Sequence, residues 1–104
     1  MGTDFVLLID EKNSKKANIA ANKAFEEAHR LDKILSDYLS ESELSKLSQN
    51  SGSPQFFSLS GDLFSVLARS QELALATQGQ FDITIGPLSR LWRIARFKKR
   101  LPSD

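Results

Sequence analysis

Gly79-Gln80-Phe81-Asp82-Ile83-Thr84-Ile85-Gly86-Pro87-Leu88 is the stretch on which the fold reading turns. Apolar and polar residues alternate strictly from Phe81 to Ile85, the two-residue period of a strand with one face on a core. Asp82 and Thr84 then share the opposite face, a polar handle for a ligand beside the apolar wall of Phe81. Gly79 fits the left-handed position that closes a preceding helix. Gly86-Pro87 breaks the strand, and Pro87 suits the first position of a new helix. Leu88, Leu91, Trp92 and Ala95 recur at the spacing of one helical face.

Working upstream, Leu63, Val66, Leu67, Ser70, Leu73, Ala74 and Thr77 trace the inner face of a long helix, with Ser60 as its N-cap and Asp62 in its first turn. Phe57 and Leu59 alternate with Ser58 and Ser60 in a short extended segment after the breaker cluster Asn50-Ser51-Gly52-Ser53-Pro54. Ser40-Glu41-Ser42-Glu43 has the form of a capping box that opens a short helix through Leu44 and Leu47. Before it, Ala17, Ala21, Ala24, Ala28, Leu31 and Leu35 repeat at helical spacing behind Ser14, placed as an N-cap, while Phe25 and Ile34 widen the stripe. Phe5-Val6-Leu7-Leu8-Ile9 is a continuous apolar run, so residues 3–10 are expected to form a strand covered on both faces. Short strands packed against two long helices make an α+β fold, in a single domain over residues 1–104.

Composition narrows the chemistry. The 104 residues carry a formal net charge of +1, too small to select nucleic acid or an anionic membrane by total charge. No cysteine is present, which excludes disulfides, thiolate zinc sites and thiol nucleophiles. His29 is the sole histidine and sits among helix charges, where it reads as a surface residue. Most serines fall at turns and caps, with no G-x-S-x-G elbow. Arg90, Arg93, Arg96, Lys98, Lys99 and Arg100 form the strongest local charge feature, read as a solvated helix face because no aromatics are interleaved to stack bases. Met1-Gly2 is not a myristoylation start, since Val6 stands where Ser or Thr is needed. No apolar run is long enough for a spanning helix, and no leader is visible. Lys98-Lys99-Arg100-Leu101-Pro102-Ser103-Asp104 reads as a connection into a further helix, with Ser103 or Asp104 as its cap.

Taken together, Met1-Gly2-Thr3, then Ser36-Asp37-Tyr38 with Ser42-Glu43-Leu44-Ser45-Lys46-Leu47, then Gly79 to Leu88 with Leu91-Trp92, resemble the ApbE family in order and spacing. The last block is the most specific, matching G-x-F-D-x-T-hydrophobic-G-P-L followed by L-W. The resemblance implies an α+β flavin transferase that binds FAD, cleaves its pyrophosphate with Mg²⁺ and attaches FMN to a Thr or Ser of a flavin-acceptor protein. It implies further that Met1 lies by the flavin, that Tyr38 stacks near a ring system of FAD, and that Gln80, Phe81 and Asp82 bind FAD through backbone and side chains. Alanine is common in the family where Gln80 stands.

The family's downstream Ala-Lys-Gly segment, its His-rich stretch leading into Asp-Pro-x-Thr-Gly, and its Mg²⁺-holding Asp and Thr have no counterparts before Asp104. The expectation is therefore an N-terminal FAD-binding segment, incomplete at its C-terminus, with no catalytic or metal-binding residue of its own. Family resemblance implies a periplasmic or exported location, with membrane attachment only through a lost lipoprotein anchor, and leaves a cytoplasmic one open. Two alternatives stand beside it: a non-catalytic flavin-binding module, and a structural domain whose Trp92 and basic helix dock a partner protein.

Overall fold

A computed structural model of the chain describes residues 4–101. The described residues form four helices, α1 (Ser14–Leu35), α2 (Glu43–Gln49), α3 (Gly61–Ala76) and α4 (Gly86–Lys98), with a single 3-10 turn, Ile83–Ile85, and no strand. The α+β expectation is thereby overturned. By its contacts the chain divides into two compact units, Met1–Ser65 and Val66–Asp104.

In the first unit, α1 begins one residue earlier than the Ser14 cap implies. Asn13 is extended, and its side-chain oxygen accepts from the Lys16 amide at 3.1 Å. Ser14 is thus the first helical residue. The predicted stripe is in place: Ala17, Ala21, Ala24, Ala28, Leu31, Ile34 and Leu35 are all half-buried, and none is fully buried. Residues 4–10, expected as a strand, have no regular structure. A strand needs a neighbour to take its amides and carbonyls, and the described residues offer none. The run stays largely exposed, with the Phe5 ring edge-on to Phe25 at 5.8 Å.

Helix α1 stops at Ser36, whose ψ of 127° leaves the helical region while its amide still bonds the Asp32 carbonyl. The capping box also shifts. Ser42, not Ser40, caps α2 by accepting from the Ser45 amide at 3.0 Å. Glu43, expected to reach back to Ser40, accepts from the Ser60 amide at 2.6 Å, which ties the start of α2 to the residue before α3. The expected Ser60 cap holds, its hydroxyl accepting from the Leu63 amide at 3.3 Å. Leu63 is 0% exposed, the deepest apolar side chain among the described residues. The extended segment expected over residues 57–60 forms no strand.

In the second unit, Gly79 has φ +82° and donates its amide to the Ala74 carbonyl, closing α3 as its spacing implies. Of the residues expected as a strand from Phe81 to Ile85, Ile83–Ile85 instead make the 3-10 turn, with Asp82 as its N-cap. Asp82 is extended, but its carboxylate takes the Thr84 amide that a sheet neighbour would otherwise take. Gly86 then adopts a right-handed helical conformation and α4 begins, with Pro87 in its first turn as expected. Lys99, in the left-handed region, caps α4 through amide bonds to the Ala95 and Arg96 carbonyls.

Candidate functional site

Tyr38 lies in the first unit, on the bend between α1 and α2, and a knot of serines fixes that bend. The Ser42 hydroxyl donates to the Ser36 carbonyl at 2.5 Å, and the Ser45 hydroxyl reaches the same oxygen at 3.3 Å. In turn the Ser36 hydroxyl accepts from the Tyr38 amide at 3.3 Å. Ser36 and Ser42 are both buried. The backbone of Tyr38 is therefore held while its ring stays 59% exposed, a presentation suited to a planar ligand. Reading these serines as simple caps misses their convergence, because the shared acceptor, the Ser36 carbonyl, lies six and nine residues away from its donors.

Gln80, Phe81 and Asp82 follow the α3 cap consecutively in the second unit. Thr77 organises them: its hydroxyl donates to the Leu73 carbonyl at 2.8 Å and accepts from the Phe81 amide at 3.1 Å, while its carbonyl takes the Gln80 amide. The amides of Gln80 and Phe81 are thus spent internally, which leaves side chains and carbonyl oxygens for any ligand. Phe81 is half-buried, whereas Gln80 and Asp82 are exposed. Both the amide and the hydroxyl of Thr84 donate to Asp82 Oδ1 at 2.7 Å. Those two bonds, the amide's first, hold the Asp82 carboxyl below the usual carboxylate range. Asp82 and Thr84 do come together, through a local turn rather than a sheet face. Met1, the fifth expected contact, lies outside the described residues.

A separate charged cluster joins α1 to α3 within the first unit. Arg30 forks onto Glu27 at 2.7 and 2.9 Å and reaches Asp62 at 2.7 Å. Hydrogen bonding to Arg30 holds both carboxyls below their ordinary values and raises the guanidinium further. His29 is exposed on α1. Among the described residues there is no group of three or more His, Asp or Glu side chains that could hold a metal ion. No described helix is long and apolar enough to cross a membrane.

Comparison with known proteins places the whole stretch in one group. A model described as the ApbE family matches residues 1–104. The FAD:protein FMN transferase of Haemophilus influenzae is 38% identical over 58 residues, which cover 56% of this chain and 17% of that protein. The chain thus matches about a sixth of its curated relative's length. No solved structure matches it.

Proposed function

Because the chain belongs to the ApbE family, we propose that it is the N-terminal, FAD-contacting segment of an FAD:protein FMN transferase domain. The observation that carries the reading is the pre-set Asp82: an exposed carboxylate, anchored by Thr84, that follows the half-buried Phe81 in the chain. An anchored acceptor beside an aromatic is what orients a ligand bearing ring N–H groups or hydroxyls. In this reading Gln80, Phe81 and Asp82 meet FAD through side chains and carbonyl oxygens, and the ring of Tyr38 lies along a flavin or adenine face. Met1 belongs to the same set of contacts.

Phosphoryl chemistry requires cationic neutralisation of the transferred group and activation of the acceptor hydroxyl. In this reading those roles, together with Mg²⁺, belong to other parts of the domain. The acceptor is a flavoprotein presenting Thr or Ser, and the compartment is the periplasm or an exported, membrane-associated site. A longer polypeptide that continues this sequence, incubated with FAD, Mg²⁺ and a flavin-acceptor protein, is expected to yield an acceptor carrying covalent FMN. Absence of the flavinylated product would remove the transferase reading.

A further inference from the structure

The inference concerns what covers α4, and it rests on reading the chain as part of a larger transferase domain. Leu88, Leu91 and Trp92 fall on the side of α4 that a 100° step per residue groups with the buried Ala95. Each of the three nevertheless remains between 46% and 54% exposed. Past the helix end, Trp92, Ala95, Arg96, Lys99, Arg100 and Leu101 ring an open concavity of about 330 Å³. Residues 83–101 contain six Lys and Arg and no Asp or Glu, with Arg96 bordering the apolar face and lining the concavity.

A lipid surface would take up one amphipathic face and leave the open apolar residues of α1 and α3 exposed. A second copy would bring like-charged rims together, which is unfavourable. The stretch matched in the H. influenzae relative is 17% of that protein, so most of such a polypeptide lies beyond it.

We infer that the apolar face of α4, with the concavity at its end, seats another part of the same transferase domain, and that this part carries an apolar ridge bordered by Asp or Glu. Carboxylates there would meet Arg96 and Lys99 at the rim, fixing register as well as attraction.

Because the chain has no cysteine, a single thiol reports on this face cleanly. Leu91→Cys is placed on the apolar side and Ser89→Cys away from it, in two proteins: the 104-residue chain, and the same chain joined to the H. influenzae sequence beyond the matched stretch. Maleimide labelling is expected to be fast at both positions in the short chain. In the joined protein it is expected to slow at least about tenfold at position 91, stay fast at 89, and speed up again on adding Arg96→Glu with Lys99→Glu. Equal labelling at 91 in both proteins overturns the inference, as does a joined protein with no cooperative unfolding transition beyond that of the short chain. Protection of the short chain that grows with its own concentration, or that phosphatidylglycerol vesicles alone produce, overturns it in favour of a second copy or a membrane. Covalent flavin transfer is scored separately: protection without transfer keeps this surface and removes the functional reading.

Discussion

Ser42 has a disproportionate part in the first unit for its size. Its hydroxyl accepts from the Ser45 amide, donates to the Ser36 carbonyl and is buried, so its removal takes the side-chain acceptor from the Ser45 amide and leaves the Ser36 carbonyl only the longer bond from the Ser45 hydroxyl. Ser42→Ala is expected to cost about 1–2 kcal/mol, read as a lower urea midpoint with an unchanged slope, whereas Ser40→Ala should leave the midpoint in place. Arg30 provides a pH-dependent counterpart. Glu27 and Asp62 have lowered carboxyl pKa values in the folded chain, so their contribution is complete above the unfolded carboxyl range near pH 4 and is lost as pH falls through the lower folded values. The melting temperatures of the natural chain and Arg30→Gln should therefore differ at pH 6 and converge toward pH 2. At this scale the sequence identifies the residue types correctly and misses their partners. Cap-forming Ser and Asn are visible, but neighbouring candidates such as Asn13 and Ser14, or Ser40 and Ser42, differ only in backbone geometry that surrounding contacts decide.

Helices were legible and strands were not, for a reason specific to the elements. The stripes of α1 and α3 satisfy their backbone hydrogen bonds internally, so periodicity alone locates them. Phe81 to Ile85 has a strand's alternation, yet a strand's bonds must come from a neighbour, and Asp82 offers Thr84 a nearer acceptor. The same applies to residues 4–10, where only the apolar run could be read. Gly79 is a direct test of the α3 exit. At φ +82° a Cβ meets no atom within 4 Å, so the cost of Gly79→Ala is conformational alone. About 1 kcal/mol of destabilisation is expected by thermal melting, the left-handed penalty of an L residue.

For the molecule as a whole, the sequence motifs read correctly to the family while the architecture did not, because family motifs record ligand contacts and local turns, whereas a sheet depends on everything available to pair with. Leu63 in the first unit and Ala95 in the second are the buried apolar residues among those described. The candidate flavin contacts fall in both units, Tyr38 in one and Gln80, Phe81 and Asp82 in the other. The most direct test of the account is a titration of the 104-residue chain with FAD followed by flavin fluorescence, alongside Tyr38→Ala, Asp82→Ala and His29→Ala, each checked for native helical circular dichroism. The account predicts weak, saturable binding, loosened about tenfold by Asp82→Ala through loss of a charge-assisted hydrogen bond, loosened also by Tyr38→Ala, and unchanged by His29→Ala. A chain with native helicity that shows no saturation, or that binds FAD equally well in all four forms, would contradict it.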